Sequence, residues 1–157
     1  MRIRLFEEGD AQKLCAIYYA SVREMGRRFY SESQIEAWAP TLPDAEQFRN
    51  QARDGRVVLV AIDDGGDPIA YVDLEANGHI DHLYCRPDWA RRGVASALYD
   101  RLERMALERG VKALYVEASE VALAFFLRKG FVLTRRRDFE LRGTPIHNYA
   151  MAKTLAG

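Results

Sequence analysis

Cysteine is scarce in this chain, with Cys15 and Cys85 the only two among 157 residues. They lie far apart, each within an apolar run, which suits reduced thiols in a reducing compartment and excludes a disulfide framework. Net charge is also missing, since 23 basic and 23 acidic residues cancel. No overall field recruits nucleic acid or an anionic membrane, although a local basic site stays open. No apolar run reaches the length of a signal-peptide core or a membrane span, so the expected location is the cytoplasm. The Gly-x-x-x-x-Gly-Lys-Ser/Thr phosphate loop and the Gly-x-Gly-x-x-Gly dinucleotide fingerprint are both absent. The three histidines and two cysteines show no ligand spacing, and no metal is expected. Without repeats, low-complexity stretches or linkers, the length fits one compact domain over residues 1–157.

What is present alternates between strand and helix signals. Residues 2 to 6 alternate arginine with apolar residues, as a half-buried strand does. Asp10 is placed to cap a helix reaching Met25, with Leu14, Ile17, Tyr18 and Val22 at helical spacing. Ser31 and Gln34 form a capping box before Ile35 and Trp38, and Asp44 starts a third helix that Gly55 ends. Val57 to Ile62 is a dense apolar strand. The turn Asp63–Asp67 returns it through Ile69 to Leu74, and Asn77-Gly78 marks a second turn into a strand from His79 to Cys85. A helix follows from Val94 to about Arg109, then a strand from Ala113 to Ala118 and a helix from Glu120 to Lys129. Phe131 to Leu141 and Asn148 to Thr154 read as a closing hairpin. The expected fold is α/β, with three layers (α/β/α) around one mixed, mostly antiparallel sheet.

Chemistry concentrates where the fourth strand ends. In Ala90-Arg91-Arg92-Gly93-Val94-Ala95-Ser96 a short loop and a glycine open a helix. Backbone N–H groups at a helix start lack intrahelical partners and sit at the positive end of the dipole, so an anion fits there. Gly93 removes one Cβ, Ala95 keeps the next small, and Arg91 and Arg92 add charge that a diphosphate accepts. The alternative is an ordinary helix start with solvated arginines.

This segment resembles the pyrophosphate motif of the GNAT family of N-acetyltransferases, Gln/Arg-x-x-Gly-x-Gly/Ala. A second block, Ser119-Glu120-Val121-Ala122-Leu123-Ala124-Phe125-Phe126-Leu127-Arg128-Lys129-Gly130-Phe131, resembles the family's Asn-x-x-Ala-x-x-Phe-Tyr-x-x-x-Gly-Phe. The order of elements matches as well, so the resemblance spans essentially the whole chain, and further details are similar to a small bacterial subgroup. Three departures stand out. Ala90 replaces the usual Gln or Arg, Ser119 replaces the usual Asn, and Phe126 replaces the Tyr that often protonates the leaving thiolate.

The resemblance implies direct transfer of acetyl from acetyl-CoA to an amine. The backbone of Leu83, Tyr84 and Cys85 would pair with the pantetheine arm, while Ala90 to Ser96 would hold the pyrophosphate. Ser119, Phe125 and Phe126 would complete the cofactor side. The family opens a cleft here by splaying two strands beside a bulge in the fourth, and the Leu83 N–H would stabilise the oxyanion. Asp81 is the first candidate base, with His79 and His82 next and Glu75 and Glu117 further out. An ion pair with a nearby arginine is the competing role for Asp81. Tyr84, Tyr115 or Tyr149 could replace the missing acid, or water could serve. Tyr19, Tyr30, Trp38, His79 and Asn148 are the expected acceptor contacts. The run Arg135-Arg136-Arg137 reads as solvated, or as a contact for CoA phosphate or an acidic partner. The expected partner is a small-molecule amine, for a monomer or a homodimer. A non-catalytic acyl-CoA sensor and an enzyme acting on a protein N-terminus or lysine are the alternatives.

Overall fold

The computed structural model describes residues 1–155. Strand β1 (Arg2–Leu5) leads through a single 3-10 turn into helix α1 (Ala11–Met25), followed by α2 (Glu32–Trp38) and α3 (Ala45–Ala52). Strands β2 (Val57–Ile62), β3 (Pro68–Leu74) and β4 (Leu83–Cys85) come next, then α4 (Val94–Glu108). Strand β5 (Ala113–Ala118), helix α5 (Leu123–Arg128) and the hairpin β6 (Val132–Leu141) and β7 (Thr144–Thr154) complete the fold. Asp10 stands at the N-cap of α1 as expected, but its side chain bonds no N–H of that helix. Its carboxylate accepts the Glu7 N–H at 2.8 Å and two bonds from Arg4, tying β1 to the helix entry. The capping box at Ser31 and the cap at Asp44 form as their sequences predict, with Gln34 N–H on the Ser31 Oγ and Glu46 N–H on the Asp44 carboxylate.

β2 is buried at every position because helices cover both of its faces. Val57, Leu59 and Ala61 pack with Leu98, Leu102 and Ala106 of α4, while Val58, Val60 and Ile62 pack with Leu14 and Ile17 of α1. Two-residue periodicity thus sets three layers.

The expected single sheet is divided. One sheet has the order β1-β2-β3-β4 and the other β5-β7-β6, all pairs antiparallel. A parallel bridge between His79 and Tyr115 joins them, with Ile80 N–H donating to the Tyr115 carbonyl and Tyr115 N–H to Gly78. Gly78 permits that approach: at φ +94° a Cβ there would lie 2.3 Å from the Ala113 carbonyl oxygen. The apolar core continues beneath the junction, since Leu114 and Val116 of β5 and Met151 of β7 share a cluster with α4.

Candidate active site

The fourth strand is shorter than its sequence predicts, spanning Leu83–Cys85 rather than His79 to Cys85. A bulge is the reason. Asp73 N–H donates to the His82 carbonyl and Glu75 N–H to the His79 carbonyl. Two steps along the β3 side therefore oppose three along the other. Regular alternation from His79 to Cys85 would put Ile80 on the face opposite Leu83 and Cys85, yet all three pack in the same core cluster. The side chain of Asp73 substitutes for the lost ladder: its Oδ1 accepts the N–H groups of Asp81 at 3.0 Å and His82 at 2.7 Å.

Beyond the bulge, β4 and β5 are edge strands that no longer pair with each other. Arg86 N–H donates to Ile69 and Asp73 N–H to His82, so the Val72–Leu83 and Ala70–Cys85 pairs exchange no hydrogen bonds. The N–H and C=O groups of Leu83 and Cys85 consequently point away from β3, into the gap between the sheets.

A polar cluster sits behind the bulge. Asp73 is 3% exposed, and its Oδ2 takes the His82 Nδ1 at 2.7 Å and the Arg56 Nη1 at 2.7 Å. Arg56 also donates to Asp81 at 3.0 Å and to Asp54. Asp81, the first candidate base, thus shares the guanidinium with Asp73 in the ion-pair role. Burial opposes charge on His82, but its hydrogen bond and attraction to Asp73 outweigh burial and raise the imidazole pKa. The His82 Nε2 has no protein partner among the described residues. Burial likewise disfavours the Asp73 carboxylate, yet His82 and Arg56 hold its pKa down. His79 is held at both nitrogens, by Glu75 and Glu117 at 2.8 Å each. Burial lowers its pKa and these two carboxylates, prevailing, raise it. Ligand-type atoms of Asp73, Asp81 and His82 lie within 4.8 Å of one another. The cation bonded to both carboxylates there is the Arg56 guanidinium.

Helix α4 begins beside this strand. Gly93 sits at φ +81° with nothing within 4 Å of where a Cβ would stand, and Arg91 is also left-handed at φ 62°. The first bond of the helix runs from Ala97 N–H to the Gly93 carbonyl. Val94, Ala95 and Ser96 N–H groups find no acceptor among the described residues, and no side chain caps them. The Arg92 guanidinium stacks 3.9 Å from the Trp89 ring centroid, and the Ser96 Oγ accepts from Lys129 Nζ at 2.6 Å.

A cleft of about 290 Å³ opens between the sheets. Of the residues expected at the site, Asp81, Leu83, Tyr84, Ser119, Phe126, Tyr30, Trp38 and Asn148 line it. Cys85, Ala90, Phe125 and the α4 entrance lie outside it, and so do His79 in the inter-sheet bridge and Tyr19, which faces Arg23. Phe126 is 1% exposed and packs edge-on against Tyr99 and Phe131. Burial pushes the Tyr84 hydroxyl pKa well above the usual tyrosine value, which makes it a reluctant acid. On the far wall, the Tyr30 hydroxyl donates to the His147 carbonyl at 3.1 Å and accepts the Glu120 N–H at 2.9 Å. Glu120 in turn takes His147 Nε2 at 2.6 Å and the Tyr149 hydroxyl.

A model of the acetyltransferase (GNAT) domain matches residues 27–153. The chain belongs to the GNAT acetyltransferase family. It is therefore an acyltransferase. An uncharacterized N-acetyltransferase, YafP of Escherichia coli, is 33% identical over 151 residues, covering 96% of this chain and 94% of that protein. A GCN5-related N-acetyltransferase from Rhodopseudomonas palustris superposes with a TM-score of 0.88 at 36% identity, covering 98% of this chain and 95% of that one. PaiA N-acetyltransferase of Thermoplasma acidophilum, solved with coenzyme A, shares the fold at TM-score 0.76 and 21% identity, covering 99% of this chain and 100% of that one.

Within this GNAT fold, the residues that sequence reasoning passed over are Asp73, Arg56, Glu120 and His147. Asp73 carried a usable signal, as the one charged residue in the run Ile69-Ala70-Tyr71-Val72-Asp73-Leu74. The other three are ordinary surface-type residues in sequence, and only tertiary contacts distinguish them.

Proposed function

We propose that this enzyme transfers acetyl from acetyl-CoA directly to the amine of a small-molecule acceptor. The observation that carries this reading is the opened edge of β4, whose Leu83 and Cys85 backbone groups face a gap beside the free N–H groups of α4. That pairing fits the co-substrate at two separate points. Val94, Ala95 and Ser96 N–H groups would receive a pyrophosphate, with Gly93 allowing close approach and Arg91 and Arg92 adding charge. The outward N–H and C=O groups of Cys85 would accept an extended amide-bearing arm as an added strand. Acetyl-CoA supplies the activated acetyl group.

The Leu83 N–H would donate to the thioester oxygen as negative charge develops there. His82 is the base in this scheme, ahead of Asp81. Asp73 fixes its ring through Nδ1 and leaves Nε2 to take a proton from the acceptor's ammonium or attacking amine. Asp81 is committed to Arg56 and acts on the electrostatics of the corner. With Phe126 in place of a tyrosine, the proton for the departing thiolate comes from solvent. Trp38, Tyr30 and the β6–β7 hairpin form the acceptor wall.

Release of free CoA thiol, followed with the pure protein, acetyl-CoA and a panel of amines, tests the reading. Amine-dependent release with formation of the N-acetyl product is the expected result. Saturable binding of acetyl-CoA without turnover of any amine would replace it with a non-catalytic acyl-CoA module.

A further inference from the structure

Five side chains that carry or can carry charge near neutral pH line the cleft: Asp81, His82, Glu117, Arg137 and His147. Four of them face an opposite partner. Asp81 meets Arg56 at 3.0 Å, His82 meets Asp73 at 2.7 Å, Glu117 meets His79 at 2.8 Å and His147 meets Glu120 at 2.6 Å. Arg137 has no carboxylate within 4.0 Å among the described residues. Its neighbour on the strand, Arg136, is exposed and paired with Asp138, so the deficit belongs to the cleft-facing arginine alone.

Arg137 is nevertheless held in place. Its Nη1 donates to the Asn148 Oδ1 at 2.9 Å, and the guanidinium carbon lies 5.3 Å from the Phe139 ring centroid. Both partners are neutral, so they orient the guanidinium without cancelling its charge. Nε and Nη2 find no acceptor among the described residues, leaving the fork that matches a carboxylate in two parallel hydrogen bonds. A half-buried, oriented and uncompensated cation in a substrate cleft is complete only when a ligand brings the anion. Beside it, Trp38, Leu141 and Ile146 offer apolar surface for a hydrocarbon part.

We propose that Arg137 binds a carboxylate on the acceptor, so that the substrate class is an amine that also carries a carboxylate, joined by an apolar side chain or spacer. The proposal rests on the acetyltransferase reading above. Arg137 and Asn148 then set specificity at the end of the cleft opposite the acetylation chemistry of β4.

Matched acceptor pairs test it: L-phenylalanine with phenethylamine, L-leucine with isoamylamine, and 6-aminohexanoate with hexylamine. Each is assayed by thiol release in the wild type and in Arg137→Gln. In at least one pair the carboxylate-bearing member should show a kcat/KM roughly ten- to a hundredfold higher, the range expected for a charge-assisted pair. In Arg137→Gln the ratio within that pair should fall towards one, mainly through KM. Acetyl-CoA should still raise the variant's Tm, which reports a folded, cofactor-binding protein. Equal rates within every pair, a preference that survives Arg137→Gln, or turnover confined to amines without a carboxylate would overturn the proposal and leave the acetyltransferase reading standing. No Tm rise with acetyl-CoA in the wild type would overturn both.

Discussion

The two walls of the candidate site, the β4–α4 edge that runs on beyond the cleft and the cleft wall facing it, are built on different principles. The β4–α4 wall presents backbone: outward N–H and C=O groups at Leu83 and Cys85, and free N–H groups at Val94, Ala95 and Ser96. The opposite wall presents side chains, namely Tyr30, Trp38, Arg137, His147 and Asn148, gathered from α2, the loop before it and the final hairpin. A backbone wall tolerates many sequences while recognising one constant ligand. A side-chain wall can change its ligand with single substitutions. The arrangement suits an enzyme family with a shared acyl donor and varied acceptors. His82 stands between the two walls, on the bulge that separates the sheets.

The sharpest break in the comparison comes at that boundary. His82→Ala should lower kcat by roughly a hundredfold to ten-thousandfold, the usual contribution of a positioned base, while acetyl-CoA binding survives. Steady-state kinetics with a binding isotherm check both parts. Retained kcat would return the base role to Asp81 or a water chain. On the backbone wall, Gly93→Trp places a bulky Cβ-bearing residue at φ +81° against the helix entrance. Its acetyl-CoA dissociation constant should rise by about thirtyfold or more, given the strength of favourable interactions at a helix terminus.

Asp73→Asn probes how the boundary is tuned. A base works only when neutral, so the rate falls as pH drops through the His82 pKa, which Asp73 raises above its ordinary value. Removing the carboxylate charge should move the acidic limb of the kcat profile to lower pH. An unmoved limb would remove Asp73 from this role. The same groups predict a modest effect on stability. His79 and His82 both have raised pKa values in the fold, so their contribution is full below the unfolded value of about 6.5 and is lost as pH climbs through the raised values. The urea midpoint should therefore fall between about pH 6 and about pH 8, and less so in His79→Gln. On the side-chain wall, Tyr30→Phe removes the hydroxyl that bridges Glu120 and His147, which should cost about 1 kcal/mol of stability by urea unfolding.

Legibility from sequence followed the same division. The α4 entrance is contiguous, from Ala90 to Ser96, and local rules about glycine, helix starts and dipoles single it out as a candidate. The edge at Leu83 to Cys85 was expected only from the resemblance to GNAT proteins. The capping box at Ser31, the cap at Asp44 and the all-apolar β2 were readable from local pattern in the same way as the α4 entrance. The bulge was not derivable from periodicity, because the side chain of Asp73 takes over the acceptors that a regular ladder would supply. Read as a regular strand, His79 to Cys85 gives the wrong facing for Ile80. The resemblance to GNAT proteins supplied the bulge and the splayed strands instead. The side-chain wall joins positions more than a hundred residues apart, as in Tyr30 with His147 and Gln34 with the Pro145 carbonyl. No local pattern encodes such contacts. Arg137 looked like one of three solvated arginines until its pairing with Asn148 set it apart from Arg136.

Thermal unfolding of the protein across a range of acetyl-CoA concentrations, beside Gly93→Trp, tests the central claim most directly. At about a hundred times the dissociation constant, a ligand stabilises the native state by roughly 2.7 kcal/mol, equivalent to roughly 5 to 10 °C in Tm for a chain of this size. The account predicts a saturable rise of that order in the wild type and its loss in Gly93→Trp. A flat response in the wild type up to millimolar acetyl-CoA, or an equal rise in both proteins, would contradict it.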